Sequence, residues 1–275
     1  MKSSVYHPLN PFPRGLAMGK GNSHSGAMLV YRLRMAEERH ENNLARWARS
    51  GKEGKPPVQA ATVIPIRDGA NGIEVLMLKR NSKIAFGGMW VFPGGRVDPE
   101  DGPSESEDDG QATARRAAVR EAQEEAGLEF SVDTLLAFSH WTPPPITPKR
   151  FLTWFFLAPA PETEIVIDGG EIHEHEWMYP GEALERRDAG EIELAPPTWI
   201  TLNSLSGHAN TRDALEATRA REPERFETRI AVESEGPIAM WKGDAGWPEG
   251  DANQPGARHR LRMNAGQWVY ERGEG

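Results

Sequence analysis

Three glutamates lie close together near the middle of the chain, in a segment with helical periodicity. Glu121, Glu124 and Glu125 are three and four residues apart, so a helix brings their carboxylates together on one side. Small apolar residues that can pack on a core recur on the other side: Ala114, Ala118, Val119, Ala122 and Ala126. Carboxylates at this spacing repel one another, whereas a hard divalent cation prefers oxygen ligands and would reverse the repulsion. The pattern therefore indicates either a solvated acidic helix or a helix that binds a metal ion.

A glycine turn and an acidic segment precede this helix. Residues 92–95 read Phe-Pro-Gly-Gly, and a turn with so little side-chain bulk lets the backbone come close to a ligand or a neighbouring helix. Residues 102–110 are acidic and rich in turn formers, so we expect a loop that leads to a helix cap at Asp108 or Asp109. Gly127 follows the last alanine of the periodic face and is expected to end the helix as its C-cap.

The turn and the helix together closely resemble the Nudix box of the Nudix hydrolases, Gly-x5-Glu-x7-Arg-Glu-(aliphatic)-x-Glu-Glu-x-Gly-(aliphatic). The second half, from Arg120 to Leu128, matches throughout if Ala122 is taken as the aliphatic position. The first half departs twice, because Asp101 stands in place of Glu and eighteen residues separate it from Arg120 where the pattern has seven. An insertion in a surface loop costs only about 0.6 kcal/mol per doubling of loop length, so the resemblance survives it.

The resemblance implies a role for each residue of the box. In the family the three glutamates hold the metal, which makes Glu121, Glu124 and Glu125 the expected ligands of Mg²⁺ or Mn²⁺, with the Gly95 carbonyl as a further ligand. The family's arginine organises the carboxylates by ion pairing, and this role falls to Arg120. Arg120, Glu124 and Glu125 are therefore the catalytic candidates within the box.

The role of Asp101 and the identity of the general base are less constrained. Asp101 is either a partner that orients the helix or a solvated loop residue. In some Nudix enzymes the base lies in the box and in others on a loop outside it. In this sequence Glu171 and Glu174 are the candidates outside the box, and we assign Glu171. His173 and His175 alternate like a ligand pair, but Mg²⁺ prefers oxygen, so we expect them to face solvent.

Further stretches look like the coenzyme A diphosphatases, and more specifically their acyl-coenzyme A branch: residues 76–80, the insertion inside the box, 241–244 and 259–261. The resemblance implies a small-molecule nucleotide-diphosphate substrate, with coenzyme A or an acyl derivative preferred. Arg80, Gly94 and Arg150 are the residues expected to bind it. Further candidates for phosphate contacts are Lys149, His259 and Arg260.

Two other interpretations stay open. The substrate of the enzyme is alternatively ADP-ribose or a nucleotide sugar, with aromatic residues of the C-terminal region stacking on the base. The rival from another class is a catalytically silent Nudix domain that senses a ligand, with 32–49 as an interaction helix. The intact glutamates count against this rival, because a sensor has no need of a metal cluster.

Composition excludes several classes of function. The 275 residues carry a net charge of −9, which argues against nucleic acid as a partner. There is no cysteine, so disulfides, thiol catalysis and zinc–thiolate sites are excluded. The longest apolar run, 151–158, is too short to span a bilayer, and no apolar run follows Lys2 as in a signal peptide. We expect a cytoplasmic protein without membrane contact, and a homodimer is open.

The order of predicted elements gives an α+β fold, and the resemblance implies the Nudix α/β/α sandwich with a mixed β-sheet. Residues 1–57 are expected to be a mobile N-terminus followed by a helix over 27–50, 58–195 the Nudix domain, and 196–275 an extension packed on the core. Strands are predicted at 58–66, 73–79, 134–141, 151–158, 165–167, 172–178, 229–232, 238–241, 259–263 and 267–270. Helices are predicted at 180–187, from 196, and at 213–219 with Asn210 or Thr211 as cap.

Overall fold

A computed structural model of the chain describes residues 44–81, 87–102, 110–264 and 266–273. The helix expected over 27–50 is described only as α1 (44–50). The rest of that helix, the mobile N-terminus and the helix caps expected at Asp108 and Asp109 lie outside the described residues. No helix in the described part is both long and apolar enough to cross a membrane.

Within the described residues, one mixed sheet of eight strands forms the centre of the fold. Its members are β1 (Val58–Gly69), β2 (Gly72–Arg80), β3 (Trp90–Val91), β4 (Gly94–Arg96), β5 (Leu136–Thr142), β6 (Phe151–Pro159), β7 (Ile172–Met178) and β8 (Glu224–Glu227). The strand order is β3-β2-β1-β6-β5-β8, with β4 paired to β1 and β7 to β2. β1 runs parallel to β6 and β5 parallel to β8, while the other pairs are antiparallel. The predicted α+β class with a mixed sheet is therefore confirmed.

The centre of the sheet is covered on both faces. Alternate residues of β1 point to opposite sides, and Val63 contributes to one apolar cluster while Ile64 contributes to the other. The cluster around Val63 lies under α2 (Gln111–Ala126), whose buried face is made of small residues: Ala114, Ala117, Ala118, Ala122 and Ala126. Because these side chains are so short, the helix backbone lies close to the strands. Gly127 ends the helix in the left-handed conformation (φ 67°), as predicted.

The other face is covered by α3 (Pro180–Asp188), α4 (Pro196–Leu205) and α5 (Thr211–Arg219), and by a second sheet. In the described residues this sheet comprises β9 (Arg229–Glu233), β10 (Gly236–Met240), β11 (Arg258–Asn264) and β12 (Gln267–Gly273), all antiparallel. Its contact with the first sheet is aromatic. Trp141 stacks on Phe226 with ring centroids 3.9 Å apart, and Trp241 meets both rings edge-on.

One predicted strand, 165–167, is absent from the described structure, and the strand β8 was not predicted. Residues 165–167 are not a strand, although the triplet Ile-Val-Ile has the composition of one. Val166 instead donates its N–H to the Ala126 carbonyl at 3.0 Å and so closes the C-terminal end of α2. The strand β8 was missed because Glu-Arg-Phe-Glu has a single apolar residue, and its pairing with β5 comes from a distant part of the chain.

The contacts of His259 and Arg260, two candidates for phosphate binding, give both residues a structural role instead. Arg260 is fully buried and donates from Nε and Nη2 to Asp244 at 2.7 and 2.6 Å. The backbone N–H of His259 donates to the same carboxylate at 2.9 Å, and its buried ring lies 2.8 Å from the Lys242 carbonyl. Both residues therefore hold the second sheet together, and neither guanidinium nor imidazole is presented to a ligand.

The ion pair between Asp244 and Arg260 predicts a measurable acid sensitivity. Burial acts to raise the pKa of Asp244, but hydrogen bonds from Arg260, His259 and Gly246 outweigh it and bring that pKa from 3.8 to about 2. The stabilisation is then complete above the unfolded-state value and is lost as pH falls towards 2, a change of about 2 kcal/mol. Asp244→Asn should lower the free energy of unfolding by about 3 kcal/mol near pH 7, measured by urea denaturation.

The same titrations contain the control. The difference between the wild type and Asp244→Asn should shrink by about 2 kcal/mol between pH 5 and pH 2, because only the wild type has this proton to gain. A difference that stays constant over this range would show that the carboxylate is not held in its charged form by Arg260.

Candidate active site

The glycine turn lies directly against the glutamate helix. β4 pairs with β1, so that Gly94 is opposite Thr62 and Gly95 opposite Ala61. Thr62 Oγ1 donates to the Pro93 carbonyl at 3.0 Å and fixes the turn. A Cβ on Gly94 would overlap the Thr62 hydroxyl, and a Cβ on Gly95 would overlap the carboxylate of Glu121. Both glycines are therefore required by close approach, and the approach at Gly95 is to a predicted metal ligand.

Glu125 is the most enclosed carboxylate of the box. Its side chain is only 7% exposed, with Oε2 accepting from the Gly94 N–H at 2.9 Å and Oε1 lying 3.3 Å from Arg80 Nη1. Burial raises the pKa of Glu125 to about 7, against the opposing effect of the Gly94 N–H and Arg80. The negative charges of Glu121 and Glu171 add to this rise. Of the two alternatives left open by the sequence, a solvated acidic helix therefore does not describe Glu125.

Arg120 binds the other two glutamates and connects them to the preceding turn. Nη1 donates to Glu121 at 2.9 Å and to Glu124 at 3.1 Å, while Nη2 donates to the Arg96 carbonyl at 2.9 Å. Nε and Nη2 donate to the two oxygens of Asp101 at 3.0 and 3.1 Å, a bidentate pair. Asp101 is buried, and it therefore takes the first of its two alternatives, a partner that orients the helix.

These contacts place the acidic side chains of the site in different electrostatic environments. Burial raises the pKa of Glu121, in opposition to its hydrogen bond with Arg120. For Asp101 burial acts in the same direction, but the hydrogen bonds from Arg120 and the Asp98 N–H prevail and its pKa is lowered. Glu124 differs from both because its side chain is 60% exposed. Among the three glutamates it is the one that solvent reaches most easily.

Arg80 joins the box to a loop that lies far away in sequence. Its Nη1 faces Glu125, and its Nη2 donates to Glu171 at 2.5 Å. The structure thus brings Glu171, the predicted base, next to Glu125, with one guanidinium between them. Glu174, the other candidate base, pairs instead with Lys79 at 2.9 Å.

The remaining predicted residues lie elsewhere. Arg150 precedes β6, and its Nη2 lies 3.4 Å from the Pro143 carbonyl. Within the described part of the chain, no hydrogen bond or ion pair joins Arg150 to the glutamates. His173 and His175 are exposed on β7, as expected for solvent-facing residues.

The donor set fits a hard cation, although its geometry is not preformed. Over the described ranges, no group of three acidic or imidazole side chains is arranged to hold a metal ion. The reason is visible in the contacts, since the carboxylates of the box are turned towards Arg120 and Arg80. Glu121 and Glu125 nevertheless supply oxygen donors on successive helical turns beside the space left by Gly95, and oxygen is the donor that Mg²⁺ and Mn²⁺ prefer.

Comparison with known proteins identifies the family. Residues 56–198 match the NUDIX domain, and the chain therefore belongs to the NUDIX domain family. It is 30% identical over 169 residues to a protein of Caenorhabditis elegans that carries the name nudix hydrolase 7, a match that covers 48% of this chain and 55% of the relative. The chain thus spans about half the length of that curated relative.

A solved structure supports the same assignment. The crystal structure of a NUDIX hydrolase from Alicyclobacillus acidocaldarius is similar with a TM-score of 0.53 at 27% identity, covering 60% of this chain and 96% of that one. This similarity confirms the predicted Nudix fold. Together with the family match it confirms the predicted Nudix family.

Two residues of the site were not predicted from the sequence. Thr62 anchors the glycine turn, and Asp168 hydrogen-bonds the backbone of the loop that carries Glu171. Thr62 lies 31 residues before its partner, so no local spacing pointed to it. For Asp168 a signal was present, because Asp-Gly-Gly is a turn sequence directly before Glu171.

The close approach at Gly95 gives a test of the cation site. Gly95→Ala places a methyl group where the Glu121 carboxylate lies, and we expect Mn²⁺ affinity, measured by calorimetric titration, to fall by about tenfold or more. Gly181→Ala is the matched control, because a Cβ there meets nothing within 4 Å. Equal affinities of the two variants would show that Glu121 does not take part in binding the ion.

Proposed function

We propose that this chain is a Nudix hydrolase that uses Mg²⁺ or Mn²⁺ to cleave a diphosphate bond in a nucleotide-diphosphate substrate. The observation that carries the proposal is the placement of Glu121 and Glu125 against the Gly94–Gly95 turn. Burial raises the pKa of both carboxylates although each has an arginine partner, so a further positive charge would stabilise their ionised forms and the arrangement suits a site that receives a cation. Glu121, Glu124, Glu125 and the Gly95 carbonyl would hold the ion.

Each residue of the site has a defined part in this proposal. A bound divalent ion would neutralise the phosphates and polarise the bond to be cleaved. Arg120 keeps Glu121 and Glu124 in place, and Asp101 in turn keeps Arg120 in place. Glu171 is exposed to solvent and takes the proton of the attacking water.

Coenzyme A or an acyl-coenzyme A is our preferred substrate. The support comes from the sequence, in the resemblance of residues 76–80 and of the insertion in the box to that branch of the family. Arg80 Nη1 and Nη2 lie next to Glu125 and Glu171, and Gly94 lies in the adjoining turn. Arg80 and Gly94 are therefore in a position to contact a phosphate. Arg150 and Lys149 remain candidates for a more distant phosphate. The proposed location is cytoplasmic, and a homodimer is compatible with the proposal.

One observation favours a second candidate, a ligand sensor without catalysis. Each carboxylate of the box already has an arginine partner, so the acidic cluster is neutralised by the chain itself. A domain of this kind would bind a nucleotide diphosphate and release it unchanged. The enzyme is preferred because Glu124 is exposed and its pairing to Arg120 is between neighbours on the helix surface, which is weak.

A product assay separates the candidates. The protein is incubated with Mg²⁺ and each of coenzyme A, an acyl-coenzyme A, ADP-ribose and a nucleotide sugar, and the products are separated by chromatography. We expect coenzyme A or its acyl form to yield a phosphopantetheine product and adenosine 3′,5′-bisphosphate. Turnover of ADP-ribose or the nucleotide sugar alone would support the proposed hydrolase activity and contradict the preferred substrate. Binding without turnover of any compound would favour the sensor.

Glu124→Gln tests the role of the helix in the same assay. Removing one charged ligand should lower kcat by about 100-fold or more, while the exposed position predicts little change in thermal stability. Glu129→Gln is the matched control, since Glu129 is an exposed glutamate just beyond the helix. Near-normal turnover by Glu124→Gln would refute the assignment of Glu124 as a metal ligand.

A further inference from the structure

Glu171 is held far more firmly than its exposure requires. Its side chain is 58% exposed and lies on the loop before β7, where a carboxylate ordinarily samples several rotamers. Instead its N–H donates to Asp168 Oδ2 at 2.9 Å, and its carbonyl accepts from the Asn81 N–H at 2.7 Å. Its carboxylate accepts from Arg80 at 2.5 Å. Backbone and side chain are therefore fixed by three separate partners.

Asp168 is the centre of this arrangement. One carboxylate oxygen accepts from the Glu171 N–H and the other from the Ile172 N–H at 3.0 Å. Gly169 adopts a positive φ of 69°, which lets the chain turn back over the Asp168 side chain. Burial acts to raise the pKa of Asp168, but the backbone N–H groups around it lower that pKa, so the acceptor is a carboxylate near neutral pH.

The turn is also fastened to the rest of the fold. Asn81, directly after β2, donates from Nδ2 to the Gly170 carbonyl at 3.1 Å. Ile172, whose N–H Asp168 binds, is fully buried in the cluster beneath α2. The loop is thus anchored at one end to β2 and at the other to the core. Such support is typical of a residue whose carboxylate must be kept in one place.

We infer that Asp168 is a positioning residue for diphosphate hydrolysis, which holds the Glu171 backbone so that its carboxylate faces Arg80 and Glu125. The inference rests on the proposed function, in which Glu171 accepts the proton of water. Asp168 itself touches neither water nor substrate in this scheme. Its effect passes entirely through Glu171, and this distinguishes it from a residue that only stabilises the loop.

A double-mutant cycle on the full chain tests the inference with Mg²⁺ and the substrate found in the panel. Asp168→Ala should lower kcat by about 10- to 100-fold and leave KM within about twofold, because a misplaced base impairs the reaction more than binding. Glu171→Gln should be impaired at least as strongly. The double variant should be no slower than Glu171→Gln alone, since the support has nothing left to position.

Two further variants separate positioning from folding. Asp168→Asn keeps one carboxamide oxygen as an acceptor and should recover part of the lost kcat, which is informative even if Asp168→Ala does not fold. Asp251→Ala is the matched control, because Asp251 makes a similar turn bond to the Asn253 N–H at 3.0 Å and contacts no residue of the site. It should leave kcat unchanged.

The outcomes that overturn the inference differ from those that overturn the proposed function. Losses that multiply in the double variant, or full activity of Asp168→Ala beside an impaired Glu171→Gln, would make Asp168 merely structural. Full activity of Glu171→Gln would contradict the positioning role of Asp168 but would not contradict the proposed hydrolase activity. Absence of turnover by the wild type on every compound would overturn both.

Discussion

The enclosed carboxylate of Glu125 constrains the rest of the site. Taking a carboxylate out of water costs several kcal/mol unless hydrogen bonds and opposite charge compensate. Here the Gly94 N–H and the Arg80 guanidinium provide part of that compensation, and both come from elements distant from the helix in sequence. The glycine turn, the end of β2 and the glutamate helix must therefore meet at one point. β1 brings the turn and β2 together, because it pairs with β4 through residues 60–62 and with β2 through residues 66–69.

Arginine acts in this site as a substitute for the positive charge that the proposed reaction needs. Arg120 and Arg80 between them contact all three glutamates of the box and three further acidic residues, Asp98, Asp101 and Glu171. Without them, carboxylates on adjacent helical turns would repel one another in the folded state. A chain with a net charge of −9 thus neutralises this acidic cluster with its own guanidinium groups.

The C-terminal region is part of the same structure as the family domain. β8 extends the main sheet beyond β5. Phe226 on that strand stacks on Trp141 of β5 and meets Trp241, directly after β10, edge-on. The buried ion pair between Asp244 and Arg260 connects the segment after β10 to β11 in the second sheet. Residues of the segments 241–244 and 259–261 therefore serve packing in this chain.

Spacing along the chain was enough to predict the helix of the box, its alanine face, its glycine cap and most strands, because these depend on neighbours within a few residues. The assignment of Glu121, Glu124 and Glu125 as metal ligands stays a prediction. Burial of Glu125, the pairing of Arg80 with Glu171 and the recruitment of β8 depend on residues between about 45 and 90 positions apart. Only the tertiary structure decides such contacts, because local sequence specifies which groups can interact but not which of them the sheet brings together.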